Sequence, residues 1–303
     1  MKVTAGFTTI TFLHQIYHMP AINERNIAIL CNALAGHGRA VAVANQIAAR
    51  LSAEKISHRI FNDNWPPDFS FFTDIFITGG DGTLNYFVNH YPGIQLPLAM
   101  FKGGTGNDFH WLLYGNMSLQ EQLELVLTTA ARPVDTGKCN GRYFINGVGI
   151  GLEGAVVQTL QGKKKRPGKT SFLLSIIKNI FTYRSKTYRI NSAEESFTGK
   201  KLLVDISNGR RAGGGFHIAP TAKADDGLLD VILADALTPL QRLRYLPVIE
   251  KGKHLSLPFI HHYLTKHISI ECTETVPFHL DGEYFEAQRF EIEILPRFLN
   301  IRY

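Results

Sequence analysis

Thr78-Gly79-Gly80-Asp81-Gly82-Thr83-Leu84-Asn85 is the most informative stretch of the chain, because it connects a strand-like run to a helix-like run. Residues 75–77 before it are apolar, and residues 84–90 after it are typical of a helix. Glycines let backbone N–H groups approach a ligand closely, and a helix start adds unpaired donors that favour an anion. A glycine-rich turn capped by Thr83 is the alternative, but the strand before and the helix after favour an anion-binding loop.

A second loop of the same kind follows about 20 residues later. Residues 98–101 form an apolar run, and Lys102-Gly103-Gly104-Thr105-Gly106-Asn107-Asp108-Phe109 leads from it into a helix-like segment. A third loop comes earlier, where residues 32–39 follow the apolar run 27–31 and precede a helix with one apolar face. This repeated order of strand, glycine loop and helix predicts a parallel sheet with all three loops at its carboxyl edge.

The second half of the chain has a different pattern. From residue 133 onward it consists mainly of short β-rich segments, interrupted by helical patterns at Leu152–Leu160, 170–181 and Pro239–Glu250. We therefore predict a three-layer parallel α/β domain over 24–132 and a β-sandwich-like domain over 133–303, after an extension of residues 1–23. A return of the last segment to the first domain stays open. The cleft between two such domains is where chemistry is expected.

Composition limits the kind of protein. The chain has 303 residues with 45% hydrophobic residues, enough for two cores. No apolar run reaches the roughly 20 residues that span a bilayer, and no signal peptide is evident. The three isolated cysteines, Cys31, Cys139 and Cys272, are typical of buried free thiols in a reducing compartment, so we expect a cytoplasmic protein.

The net charge of +6 suggests anionic partners. Residues 163–166 and Lys169 are all basic, and an apolar helical segment follows them directly. This arrangement fits a protein that contacts an anionic membrane surface, and it fits equally a solvated loop beside a core helix. Nucleic acid is disfavoured, because no nucleic-acid-binding motif accompanies the charge.

Six motifs, in order, resemble the diacylglycerol kinase catalytic-domain family of lipid kinases, which includes soluble bacterial members and is related to sphingosine kinases and NAD kinases. The resemblance runs from about residue 26 to the end of the chain. Its motifs begin at Asn32, Gly79, Gly104, Phe144, Asp225 and Asp281. Two positions depart from the family pattern: Ala33 stands where proline is usual, and Glu153 where aspartate is usual.

The resemblance implies ATP and Mg²⁺ as cofactors. The residues it assigns to the nucleotide are Asn32, Gly79, Gly80, Asp81, Gly82, Thr83, Leu84, Asn85, Gly104, Thr105, Asn107 and Asp108. It also implies a structural Mg²⁺ bound by the Asp226 carboxylate and by carbonyl oxygens of Lys223 and Leu228.

The segment Asp281-Gly282-Glu283 reads first as a hairpin turn, since Asp-Gly is a common turn signal. The resemblance places the catalytic acids there, with Glu283 preferred as proton acceptor, Asp281 beside it and Asp81 as the rival base. The implied activity is phosphorylation of a lipid alcohol at a membrane surface, with diacylglycerol the best single substrate. An NAD kinase-like phosphotransferase and a catalytically silent nucleotide-binding regulator are the alternatives, and a homodimer stays open.

Overall fold

The computed structural model describes residues 24–161 and 169–303. In its first part four parallel strands lie in the order β2-β1-β3-β4. They are β1 (Asn26–Cys31), β2 (Ser57–Asn62), β3 (Asp74–Gly79) and β4 (Leu98–Lys102). The helices are α1 (Arg39–Ala53), α2 (Asp81–His90), α3 (Asp108–Tyr114) and α4 (Leu119–Thr128). Strands β1, β3 and β4 are apolar nearly throughout because both of their faces are covered.

The helices lie on the two faces of this sheet. Ile29 and Phe76 pack on one face against apolar residues of α1 and α4, whereas Leu30 and Ile77 pack on the other against α2 and α3. These layers confirm the predicted three-layer α/β architecture.

The second part of the chain is mainly β. Its strands are β5 (Arg132–Cys139), β6 (Arg142–Phe144), β7 (Gly147–Gly151), β8 (Lys186–Ser192), β9 (Ser196–Ser207), β10 (Leu229–Asp235), β11 (Ile260–Thr265), β12 (His267–Leu280) and β13 (Glu283–Ile301). Strands β9 and β12 each pair with β8 along one half and with β7 along the other, enclosing an apolar core that includes Val148, Ile206 and Phe290. The predicted β-sandwich-like fold is confirmed.

Three helices accompany these strands: α5 (Leu152–Leu160), α6 (Lys169–Thr182) and α7 (Pro239–Glu250). Within residues 24–161 and 169–303, none of the helices is long and apolar enough to cross a membrane. The three cysteines are buried free thiols, as predicted. The basic residues 163–166 and the extension 1–23 lie outside the described residues.

The last strand connects the two parts of the chain. Ile301 at the end of β13 pairs in parallel with Leu98 of β4, and the Arg302 N–H donates to the Leu98 carbonyl oxygen at 2.8 Å. The Arg302 guanidinium reaches the buried Asp74 carboxylate, with Nε 2.6 Å from Oδ1. The C-terminal residues therefore belong to the buried edge of the first sheet.

Residues 142–148 read as one continuous strand in the sequence but form two strands, β6 and β7, separated at Ile145 and Asn146. The backbone N–H groups of these two residues donate to the Asp281 carboxylate, so they are not available to a ladder. A tertiary contact with a residue 135 or more positions away therefore divides this strand.

Candidate active site

Three glycine loops meet at the carboxyl edge of the parallel sheet. The N–H groups of Gly103 and Gly104 donate to the Gly79 carbonyl oxygen at 2.7 and 2.9 Å. A Cβ on Gly104 would lie 2.4 Å from the Gly80 Cα, and one on Gly36 would lie 2.1 Å from the Gly103 carbonyl oxygen. Side chains here would separate the loops, so glycine is required for this backbone-to-backbone packing.

The Asp81 carboxylate joins the second and third of these loops in chain order. Its Oδ2 accepts the Asp108 N–H at 2.8 Å and its Oδ1 accepts the Phe109 N–H at 3.0 Å. It therefore caps the start of α3, where the helix has unpaired donors. Burial, followed by the charge of Asp108, raises the pKa of Asp81 to about 7. A carboxyl with this pKa changes its protonation state near neutral pH.

The first loop is fastened to the other two by polar side chains. Asn32 Nδ2 donates to Thr83 Oγ1 at 3.2 Å. The Arg39 guanidinium donates from Nε to the Gly36 carbonyl oxygen at 3.0 Å and from Nη2 to that of Gly104 at 3.2 Å. Asn32, Thr83 and Arg39 therefore hold the loops at a fixed spacing.

A cavity of about 400 Å³ opens beside Asn32 and Thr83. Its walls include the aromatic side chains of Trp65, Tyr86 and His90. The rings of Tyr86 and His90 are stacked with centroids 4.5 Å apart, and Trp65 meets Tyr86 at 5.5 Å. Such aromatic walls next to a polar loop suit a planar ring carrying a charged group. Tyr86 and His90 were not among the predicted site residues, because no motif marks them.

The 102–109 loop is closed by one of its own side chains. Asn107 Nδ2 donates to the Gly104 carbonyl oxygen at 3.0 Å, and the Gly104 N–H donates to Asn107 Oδ1 at 3.2 Å. Thr105 at its tip is exposed, as is Gly82 in the first turn of α2. Gly104, Thr105 and Asn107 therefore lie in one loop at the carboxyl edge of the sheet, and the tip of this loop is exposed.

Three of the residues predicted to contact the nucleotide have side chains directed elsewhere. Leu84 is buried in the apolar core of the first domain. Asp108 Oδ2 accepts the Gly214 N–H of the second domain at 2.8 Å, with Arg211 Nε 3.8 Å from Oδ1, and burial raises its pKa. Asn85 Nδ2 donates to the Tyr143 carbonyl oxygen and to Asp281. Asp108 and Asn85 thus connect the two domains around the loops.

Asp281 and Gly282 are the two central residues of the turn between β12 and β13. Both have positive φ, at 49° and 85°, as a two-residue hairpin turn requires. The Asp281 carboxylate is partly buried and accepts N–H groups of Ile145, Asn146 and Gly147 at 2.7 to 2.9 Å, together with Asn85 Nδ2 at 2.8 Å. Burial raises its pKa, against the lowering effect of these donors.

Asn85 lies four residues after Asp81, one helical turn along α2, so its bond to Asp281 places the hairpin turn beside the glycine loops. Glu283 opens β13 opposite Leu280, and its side chain is exposed. Asp281 therefore faces inward and Glu283 outward.

The turn that carries Asp226, Lys223 and Leu228 is rich in carboxylates. Asp226 Oδ1 accepts the Leu228 N–H at 3.1 Å, and Asp135 accepts the N–H groups of Gly227 and Arg297, both at 2.7 Å. Burial, then the charges of Asp230 and Asp135, raises the pKa of Asp226, and a cation would relieve this repulsion. In the described part of the chain no three His, Cys, Asp or Glu side chains come together as a metal cluster. A cation at this turn would therefore need backbone oxygens besides the single carboxylate, as in the predicted ligand set.

Glu153, the residue that departs from the family pattern, lies in the first turn of α5. Its Oε2 is 3.4 Å from His279 Nε2. Burial, followed by the charge of Glu153, raises the pKa of Asp205 on β9 well above its usual range. Asp205 is thus a buried acid on β9, and Glu153 contacts His279, which lies on β12 two residues before Asp281.

Sequence and structure comparisons agree with this geometry. Residues 26–139 match the sequence model of the diacylglycerol kinase catalytic domain, and residues 146–303 match that of the YegS C-terminal NAD kinase beta sandwich-like domain. A "Diacylglycerol kinase" of Mycobacterium tuberculosis is 26% identical over 292 residues, covering 91% of this chain and 94% of the relative. A "Probable lipid kinase YegS-like" of Shewanella frigidimarina is 29% identical over 229 residues, 74% of each chain.

A solved structure shows the same arrangement of domains. The crystal structure of a "putative diacylglycerol kinase" from Bacillus anthracis superposes with a TM-score of 0.77 at 26% identity, covering 92% of this chain and 95% of that one. The fold and the matched families define a lipid kinase. The chain belongs to the diacylglycerol kinase catalytic-domain family, with the YegS type of C-terminal domain.

Proposed function

We propose that this protein transfers the γ-phosphoryl group of ATP to the hydroxyl of a lipid alcohol, with diacylglycerol as the substrate and phosphatidic acid as the product. The observation that carries the proposal is the meeting of three glycine loops beside an aromatic cavity, in a chain of the lipid kinase family. Phosphoryl transfer needs a nucleotide held in place, screening of its charge and a group that accepts the alcohol proton.

The nucleotide site is the 79–83 loop with its two neighbours. Its glycines expose backbone N–H donors at the start of α2, which favours phosphate oxygens. The adenine ring of ATP would lie in the cavity against Trp65 and Tyr86. Asn32 and Thr83 line that cavity where it meets the loop. The triphosphate would then lie at the junction of the three loops. Mg²⁺ bound to the phosphates would supply charge screening, and Asp81 is the carboxylate within the 79–83 loop itself.

Glu283 is the preferred proton acceptor. Its carboxylate is exposed, and in the described ranges it forms no hydrogen bond or ion pair that would have to break first. The Asp281 carboxylate is already occupied by four donors, so we assign it to positioning the hairpin turn and β6–β7. Asp81 is the rival base, since its raised pKa suits proton transfer.

The 223–228 turn fits a structural Mg²⁺ held by one carboxylate and backbone oxygens. Asp226 would bind it directly, with Lys223 and Leu228 contributing carbonyl oxygens, while Asp135 keeps the turn in place through the Gly227 N–H. The role assigned to this cation is to stabilise the turn, so no step of the phosphoryl transfer passes through it.

Substrate identity is tested by offering alternatives in one assay. Purified protein with Mg²⁺ and γ-labelled ATP is given diacylglycerol, ceramide, sphingosine and other lipid alcohols in mixed micelles, with NAD in a parallel reaction and unlabelled GTP as a competitor. We expect label in diacylglycerol and weaker competition by GTP than by ATP. Label in NAD alone would assign the protein to the NAD kinase-like alternative. Binding of ATP without transfer to any acceptor would favour the nucleotide-binding regulator.

A further inference from the structure

Helices α6 and α7 carry an unusual share of the exposed apolar surface. Six of the eleven exposed large hydrophobic side chains among the described residues lie on these two helices. They are Leu173, Leu174, Ile177, Phe181, Leu240 and Leu243. We call this set the α6–α7 apolar face. Single exposed hydrophobics are normal on a protein surface, but a concentration of this kind marks a contact site.

The exposed side of α6 is distinct from the side that packs on the protein. Ile176 and Ile180 are buried in a small core with Val156 of α5. Ser175 Oγ donates to the Val156 carbonyl oxygen at 2.8 Å, and Asn179 Nδ2 donates to Thr159 Oγ1 at 2.9 Å. The other side of α6 carries an apolar side chain every four residues, at Leu173, Ile177 and Phe181. The helix therefore has a second apolar stripe that does not pack on the protein.

The two helices are held together by a buried arginine. Arg242 of α7 donates from Nη1 to the carbonyl oxygens of Ile180 and Tyr183 at 3.0 and 2.7 Å. The C-terminal end of α6 is thereby fixed to α7. The exposed apolar side chains therefore lie on two helices that are joined by direct hydrogen bonds.

Exposed basic side chains lie on or next to the same two helices. Lys178 on α6, Arg184 just after it and Arg244 on α7 are exposed, whereas α6 contains no acidic residue and α7 contains only Glu250, at its end. An apolar stripe with basic neighbours matches the acyl region and the negative headgroups of an anionic bilayer. Two copies of this chain would instead bring like charges together.

Helix α5 connects this surface with the candidate active site. This helix supports α6 and begins directly after β7, whose first residue, Gly147, donates its N–H to Asp281. One helix therefore separates the α6–α7 apolar face from the strand that contacts the hairpin turn.

We propose that the α6–α7 apolar face inserts into the surface of an anionic lipid bilayer and holds the enzyme where a lipid alcohol is available. The biological reason for this contact rests on the proposed function. The contact itself is measurable without turnover, so the two can fail separately.

The test is co-sedimentation of the full chain with vesicles of phosphatidylcholine alone or mixed with phosphatidylglycerol. The variant Leu174→Gln/Phe181→Gln should lower the partition coefficient on mixed vesicles by on the order of tenfold or more, because both side chains lose their apolar burial. Lys178→Gln/Arg244→Gln should lower it by on the order of tenfold on mixed vesicles and little on neutral ones. Phe71→Gln is the matched control, since Phe71 is 83% exposed but lies elsewhere, and its binding should equal wild type.

Absence of wild-type binding to mixed vesicles, or unchanged binding by Leu174→Gln/Phe181→Gln, would overturn the proposal. A wild-type dimer in light scattering that this variant converts to a monomer would also overturn it, by assigning the face to a second copy. Turnover of a short-chain diacylglycerol below its micelle concentration is measured alongside. If turnover is retained but vesicle binding fails, only the proposed membrane contact is contradicted. If vesicles are bound without turnover, only the proposed function is contradicted.

Discussion

Asp81 couples two loops through a carboxylate whose pKa is raised to about 7. In the unfolded chain an aspartate loses its proton near pH 4, so between pH 4 and 7 the folded state binds more protons than the unfolded state. This group therefore makes the free energy of unfolding fall as pH rises through that window and leaves it unaffected above it.

The first prediction is a pH-dependent difference between wild type and Asp81→Asn. The free energy of unfolding of wild type minus that of the variant should fall from pH 4.5 to 7, by at most about 1.4 kcal/mol per pH unit, and level off by pH 8. Taking the difference between the two proteins cancels the contributions of the other titrating groups. The asparagine accepts one hydrogen bond fewer, and this loss changes the difference by the same amount at every pH. Urea unfolding at several pH values measures it, and a difference independent of pH would contradict the raised pKa.

The second prediction separates Asp281 from Glu283. Asp281→Asn keeps the size of the side chain but leaves buried N–H donors of 145–147 poorly paired, so unfolding should become easier by about 2–4 kcal/mol. Glu283→Gln changes an exposed side chain and should alter stability by no more than about 0.5 kcal/mol. Its effect should instead be a loss of turnover by roughly two orders of magnitude or more, as for removal of a general base.

Urea unfolding measures the stability of both variants, and the initial rate of lipid phosphorylation measures their turnover. Glu291→Gln, an exposed glutamate later in the same strand, is the control and should retain wild-type rate. Near-normal turnover of Glu283→Gln would move the role of proton acceptor to Asp81 or Asp281.

At the scale of elements, the three glycine loops could be predicted because each is a local pattern of strand, glycines and helix. The partners of their side chains could not. Asn85 follows the loop motif in the sequence, yet it bonds to Asp281, 196 residues away. The aromatic cavity depends on Tyr86 and His90, one turn apart on a helix whose sequence is equally consistent with a plain amphipathic face. Strand β11 carries His261 and His262, whose pairing with Asp235 and Asp230 no local pattern predicts.

The third prediction concerns the close contact between two loops. Gly104→Ala would place a Cβ 2.4 Å from the Gly80 Cα, and backbone cannot move aside as a flexible side chain can. Separating the loops should weaken nucleotide binding by roughly tenfold or more, as sub-ångström misplacement of binding groups commonly does. Titration with a fluorescent ATP analogue measures the affinity. Gly199→Ala is the matched control, because a Cβ there meets open space in strand β9, and equal affinities of the two variants would show that the loop contact is unimportant.

At the scale of the whole molecule, β13 makes the two parts of the chain interdependent. Its central residues pair with β5 and β12 of the second domain, and its end reaches β4 of the first. Beyond it, Arg302 contributes a guanidinium that meets Asp74 and the Thr129 carbonyl oxygen, and both charged side chains are almost fully buried. We therefore expect the two domains to unfold in one transition, since neither keeps its sheet edge covered without the other.

Arg302→Met tests this interdependence. It keeps the apolar stem but leaves the Asp74 carboxylate buried without its cation, which should lower the free energy of unfolding by about 3–5 kcal/mol. Arg189→Met is the control, because Arg189 is 66% exposed, its contact with Glu271 is 3.9 Å long, and such surface pairs contribute at most about 1 kcal/mol. Unfolding followed by far-ultraviolet circular dichroism and by tryptophan fluorescence, which reports on Trp65 and Trp111 of the first domain, should give coincident transitions in wild type. If Arg302→Met shifts the fluorescence transition alone, the first domain unfolds separately and β13 is a tether between independent units.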